Sequence, residues 1–228
     1  MIQVTDLYKG FRSGSRTVQV LSGICLSVEK GNTLAIVGKS GSGKTTLLNC
    51  LGGLERPDSG RITCLGTEIT ALNQRQMTRF RRQHLGFMFQ AGNLIACLTV
   101  FENIAFPLHL NHFGKKELNR RVNRLLEALS LDGLSRSMPH ELSGGQAQRV
   151  AFARAVSHVP ALLLADEPTA SLDSATALHL IRLMADTGRA LGVTIIVTTH
   201  DNDIIRLSDR TIRLTDGKAK EENHETTG

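Results

Sequence analysis

Long apolar runs are missing from this 228-residue chain. Its most hydrophobic stretches, "ALLLA" at 161–165 and "IACLTVF" at 95–101, fall far short of the roughly 20 residues a membrane-spanning helix needs. No bilayer span is expected. The opening "MIQVTDLYKGFR" has no apolar block behind a basic head, so no secretory signal is expected either, and the chain should be made and kept in the cytosol. Cysteine is scarce. Cys25, Cys50, Cys64 and Cys97 are scattered without C-x-x-C spacing. This disfavours metal or disulfide chemistry and leaves buried, reduced, small apolar residues as the expectation. Low-complexity linkers and internal repeats are absent, and so are the sustained heptads that long coiled-coil arms require.

What is present is ordinary in bulk: 41% hydrophobic and 21% charged residues, as in a soluble globular protein with one substantial core or two closely joined subdomains. The net charge of +6 admits a polyanionic partner, but a basic run such as "RFRRQH" (79–84) more often makes a solvated helix face. Short apolar runs alternate with helical patterns. "TLAIVG" (33–38) precedes "KTTLLNCLGGL" (44–54), and "ALLLAD" (161–166) precedes a long helical stretch from about Ala175. "VTIIVTT" (193–199) follows. Continuous apolar strands separated by helices predict an α/β fold with a parallel sheet covered on both faces. "IQVTDL" and "QVLSGICLSVE" predict an antiparallel edge sheet that alternates or turns at Gly23. From about Ala91 to His158 the pattern is helical, with Leu118, Val122, Leu125, Leu126 and Leu129 at helix spacing. The expected division is an α/β body at 1–90 and 159–228 with a helical insertion at 91–158. The polar tail "GKAKEENHETTG" is expected to fray.

Two stretches invite an anion. "GKSGSGKT" fits G-x-x-x-x-G-K-[ST] from Gly38 through Lys39, Ser40, Gly41, Ser42, Gly43 and Lys44 to Thr45, with Thr46 following. It lies between an apolar strand and a helix, the context that makes the match credible. Glycines let backbone N–H groups turn toward phosphates, and the helix start adds positive potential. Lys44 can reach terminal phosphates, and the Thr45 hydroxyl is placed for Mg²⁺. The second stretch, "HELSGGQAQRV", opens a helix at Ser143, Gly144 and Gly145 but has no lysine of its own. In "LLLADE" an apolar strand ends in Asp166 and Glu167, where α/β sheets bind ligands. Asp166 can hold Mg²⁺ through water, and Glu167, pointing to the other side, can polarise an attacking water. A loop start or helix cap is the plainer reading of such a pair. Gln90 ends "LGFMFQ" and His200 ends "VTIIVTTH". A surface amide and a capping histidine are their plain readings, a metal or water sensor and a γ-phosphate donor the functional ones.

Together these segments resemble the ATP-binding cassette (ABC) ATPases over nearly the whole chain. "GKSGSGKT" is similar to Walker A, "LLLADE" to Walker B with its catalytic glutamate, and "LSGGQ" (142–146) to the signature. Gln90 matches the Q-loop, "SLD" (171–173) the D-loop, and His200 the switch histidine. The resemblance implies a P-loop cassette with a RecA-like parallel-sheet core, an antiparallel β edge subdomain and a helical signature subdomain. It implies ATP as substrate, Mg²⁺ at Thr45, Gln90 and Asp166, and Glu167, His200 and Lys44 as catalytic groups. It also implies a homodimer on ATP binding, with Ser143, Gly144, Gly145, Gln146 and Asp173 reaching the nucleotide from the second copy. Two-fold pairing explains two anion loops in one chain. For adenine stacking, alignment of "LYKGF" favours Phe11 over Tyr8, the sole tyrosine; Phe11 packed beneath the edge sheet is the alternative.

Membrane partners would be separate polypeptides, gripped by the segment 89–108, and the chain would sit on the inner face of the cell membrane. No nucleic-acid partner is expected. The details "FQ…NL…LTVFENI" and "LADEPTASLD" resemble the branch of lipoprotein-releasing, macrolide, antimicrobial-peptide and haem exporters. That predicts export or extraction, with force transmission to cell-wall hydrolases, or a soluble DNA- or ribosome-associated role, as alternatives. Ala170, Ser171 and Ala147 depart from the lipoprotein-releasing pattern.

Overall fold

A computed structural model describes residues 1–14, 16–90 and 92–222. Alternation of apolar and polar residues builds the N-terminal strands β1 (Ile2–Ser13) and β2 (Arg16–Val28). The run "TLAIV", apolar after Thr33, makes β3 (Thr33–Val37), and after a glycine-rich loop comes α1 (Lys44–Leu51). Next are β4 (Ser59–Cys64), β5 (Thr67–Glu68), α2 (Gln74–His84) and β6 (Leu85–Met88). Three helices follow: α3 (Val100–Leu110), α4 (Lys115–Ala128) and α5 (Gly144–Val156). The chain then runs through β7 (Leu162–Asp166), α6 (Ser174–Leu191), β8 (Thr194–Thr198) and α7 (Asn202–Leu207), ending in β9 (Arg210–Thr215) and β10 (Lys218–Glu222).

These strands form two sheets, ordered β2-β1-β4-β5 and β10-β9-β3-β8-β7-β6. The first is antiparallel. In the second, β9, β3, β8, β7 and β6 run parallel, and β10 closes the edge antiparallel to β9. Because side chains alternate across a strand, the parallel sheet divides its residues between two cores. Leu34, Ile36, Leu162, Leu164 and Ile196 pack with α1 and the antiparallel sheet. Ala35, Leu163, Ala165, Ile195 and Val197 pack with α3, α4, α5 and α6. The stripe Leu118, Val122, Leu125, Leu126 and Leu129 is buried in that second core.

Local signals set the helix starts. Thr99 and Glu102 form a reciprocal capping box on α3, as do Ser143 and Gln146 on α5. Asp173 caps α6 through the amides of Ala175 and Thr176. The Thr176 side-chain bond, then its backbone bond, hold the Asp173 carboxyl below its usual range.

Three sequence expectations are corrected. Gly23 does not turn the chain; it lies inside β2 at φ 68°, where the register slips between the pairs Leu7–Ile24 and Lys9–Leu21. Two residues there oppose one, a β-bulge that needs a left-handed position. The tail is not frayed at 218–222, where β10 pairs with β9 throughout; residues 223–228 lie outside the described residues, as does residue 91. Of the four cysteines only Cys50 and Cys64 are buried, with thiols pushed up by burial to about 12 and about 11, while Cys25 and Cys97 are exposed. Among the described residues no helix is long and apolar enough to cross a membrane.

Candidate active site

β3 ends at Val37, and the chain turns back over its own carboxyl end before α1 begins at Lys44. Gly38 has no room for a side chain: a Cβ would lie 2.4 Å from the Leu214 carbonyl oxygen. Gly43, at φ 101°, precedes α1 in a left-handed conformation that opens the helix N-terminus toward the loop. The Ser42 Oγ is buried with no hydrogen-bond partner among the described residues. An orphaned hydroxyl beside free helix N–H groups fits an anionic oxygen. Lys39, Ser40 and Gly41 are exposed at the tip, and Thr46 is half-buried one residue into the helix after Thr45.

The Lys44 side chain is only 5% exposed. Its Nζ donates to the Gly38 carbonyl at 2.8 Å, lies 3.3 Å from Glu167 Oε1 and 3.0 Å from His200 Nε2. His200 Nε2 is in turn 3.2 Å from the same Glu167 oxygen. A lysine from the loop, a glutamate after β7 and a histidine after β8 therefore meet at one point.

Asp166 is separated from this cluster by one strand alternation. Asp166 falls on the α1 side of the sheet with Leu162 and Leu164, and its Oδ2 accepts from the Thr45 hydroxyl at 2.9 Å. Glu167 cannot continue the strand. It takes φ 43°, a strained backbone for a residue with a Cβ, and its amide donates to the Thr198 carbonyl and hydroxyl. Thr45 and Asp166 offer only hard oxygen donors, 2.9 Å apart, which fits Mg²⁺. The described residues hold no cluster of three or more His, Cys, Asp or Glu suited to a tighter metal cage.

Other predicted residues make no hydrogen bond or ion pair with this cluster among the described residues. The Gln90 side chain is exposed; the residue's main-chain carbonyl accepts from Gln148 Nε2 at 2.6 Å. Phe11 is exposed rather than packed under the edge sheet, cross-strand from Val18 and 5.0 Å from Lys9 Nζ. Tyr8 is equally open at 40% exposure. Ser143 and Gly144 are exposed at the start of α5, and neither they, Gly145, Gln146 nor Asp173 makes a hydrogen bond or ion pair with the Lys44 group.

Sequence reasoning missed two features. One is Thr198, whose hydroxyl touches both carboxylate residues; the only signal was a second threonine in "VTTH". The other is the hold of α5 on the loop after β6. Gln148 binds Gln90, and Arg154 donates to the carbonyls of Gly92 and Asn93 at 2.9 and 2.8 Å.

Fold and site define a P-loop nucleotide-binding protein of α/β construction. The family described as ABC transporter matches residues 21–170, and the chain belongs to that family. Methionine import ATP-binding protein MetN 1 of Yersinia pestis bv. Antiqua (strain Antiqua) is 42% identical over 224 residues, covering 98% of this chain and 65% of that protein. MetN of Escherichia coli O157:H7 is 41% identical with the same coverage. The chain thus spans 65% of the length of these curated relatives. The dimeric post-hydrolysis structure of the ATP-binding cassette MJ0796 bound to ADP and Pi superposes with a TM-score of 0.91 at 35% identity, covering 98% of each chain.

These findings correct one expectation. Export or extraction was read from segments resembling exporters, yet these relatives are named for import. The reason is physical. A phosphate loop with a lysine, a glutamate and a histidine suits either direction of transport, so "LADEPTASLD" carries none, and the exporter resemblance of "FQ…NL…LTVFENI" is overruled by the relatives' names.

Proposed function

We propose that the chain is the ATP-hydrolysing subunit of an importer, working as a pair of identical copies beneath separate membrane subunits. The observation that carries this reading is the meeting of Lys44, Glu167 and His200 within 3.3 Å beside the Gly38–Thr45 loop. Import, and a small amino-acid-type cargo, rest on the relatives' names.

In this account loop N–H groups and the α1 terminus bind the phosphates, with Ser42 Oγ as a further donor. Lys44 exchanges Glu167 for terminal phosphate oxygens, which frees the carboxylate to orient and deprotonate the attacking water. His200 then donates to the γ-phosphate. Phe11, with Val18 beside it, supplies the flat face for adenine. Thr45, Asp166 and Gln90 would hold Mg²⁺, which when bound neutralises charge on the phosphoryl oxygens. Ser143, Gly144, Gly145, Gln146 and Asp173 complete the pocket from the second copy; the exposure of Ser143, Gly144 and Asp173 in the single chain supports that reading. Residues 91–158 act as the helical subdomain and the rest as the nucleotide-binding body.

The membrane subunit's docking site is a groove of about 410 Å³ whose lining includes Leu54, Phe87, Phe89, Phe106 and Leu110. Phe106 and Leu110 are 40% and 45% exposed, an apolar rim suited to a helix from a partner. Disrupting the gene and following labelled methionine tests direction and cargo together. Loss of uptake is expected; intact uptake with lost efflux would overturn the import reading.

A further inference from the structure

Thr198 ends β8 and is completely buried, across from Asp166 in the β7–β8 register. Its Oγ1 donates to Asp166 Oδ1 at 2.5 Å and accepts from the Glu167 amide at 3.0 Å. A hydroxyl has one proton to give, so this geometry commits it to Asp166. The other oxygen of Asp166, Oδ2, accepts from Thr45. Each oxygen of the carboxylate is thus held by a different threonine.

One hydroxyl therefore bridges a carboxylate to the main chain of the next residue. Valine would fill the same space, and every neighbouring position on this face of β8 and β7 is apolar except Thr194 and Asp166 itself. Packing does not explain a hydroxyl here. The bond to the Glu167 amide also helps hold that residue at φ 43°, the backbone state from which its side chain meets Lys44 and His200.

We propose that Thr198 is a positioning residue for ATP hydrolysis: its hydroxyl fixes the aim of Asp166 and the backbone of Glu167 at once. This rests on the hydrolytic reading above. With the hydroxyl gone, Asp166 can rotate away from Thr45 and the Glu167 amide keeps only the Thr198 carbonyl. The loss falls on the chemical step and on Mg²⁺ dependence rather than on nucleotide capture, which the Gly38–Thr45 loop performs.

The test compares Thr198→Val and Thr198→Ser with wild type. Thr198→Val should lower kcat about tenfold or more while KM for ATP stays within about threefold, and should raise the Mg²⁺ concentration needed for half-maximal rate. Without nucleotide or metal, hydrogen exchange at the Glu167 amide should quicken in Thr198→Val. Thr198→Ser should recover both rate and protection. If the valine variant fails to fold, Thr198→Ala against Thr198→Ser isolates the same hydroxyl, with the γ-methyl absent from both. An active wild type with Thr198→Val (or Thr198→Ala, matched to Thr198→Ser) unchanged in kcat, Mg²⁺ dependence and exchange overturns this proposal and leaves the hydrolytic reading standing. A wild type that binds but never hydrolyses ATP, alone or in its assembled complex, overturns the hydrolytic reading first.

Discussion

At the scale of single residues the decisive contact is the buried Lys44 ammonium against Glu167, 3.3 Å away. In the proposed mechanism these two groups part when nucleotide binds, so phosphate has to compete with a carboxylate for the lysine. Glu167→Gln would remove that competitor as well as the proposed water-activating group. Its ATP turnover should fall about 100-fold or more, and its nucleotide affinity in a calorimetric titration should be at least that of wild type. Turnover at the wild-type rate would remove Glu167 from the chemistry. Lys44→Ala should weaken affinity about 10- to 100-fold by loss of a charge-assisted bond to phosphate; unchanged affinity would argue against the cradle.

At the scale of elements, much was legible because local chemistry and tertiary role coincide. "TLAIVGKSGSGKTT" reads as strand, loop and helix because an apolar run, glycines and a helix former follow in the order the fold uses. Asp173 starts α6 close to where the helical pattern began. Elsewhere the cause is non-local. The Gly23 bulge exists because β1 and β2 must bend together, and β10 exists because β9 offers it an edge; neither partner is visible in the segment itself. Thr198 was hidden for the same reason, since its partners lie about thirty residues away on another strand. The α5 start offers a test of packing. A Cβ at Gly145 would fall 2.4 Å from the stiff Thr176 methyl, whereas at Gly144 the nearest atom is 3.7 Å away on Leu172. Gly145→Ala should cost about 1–3 kcal/mol in thermal or chemical unfolding, and Gly144→Ala should cost nothing. Adding Thr176→Ser should recover most of the loss. Equal stability of the two alanine variants would contradict this packing.

At the scale of the molecule, the two anion-seeking ends belong to different helices, α1 and α5. Gln148 and Arg154 tie α5 to the loop after β6, and that loop leads into the groove proposed for the membrane subunit. Under the proposed function, a shift of α5 at a nucleotide would reach the docking groove through these side chains. In the function proposed above, a nucleotide joins two copies, each completing the other's site. Sedimentation of the Glu167→Gln chain with and without ATP tests it most directly. Dimer at saturating ATP and monomer without it is the predicted result; a monomer carrying stoichiometric bound ATP at the same protein concentration would contradict it.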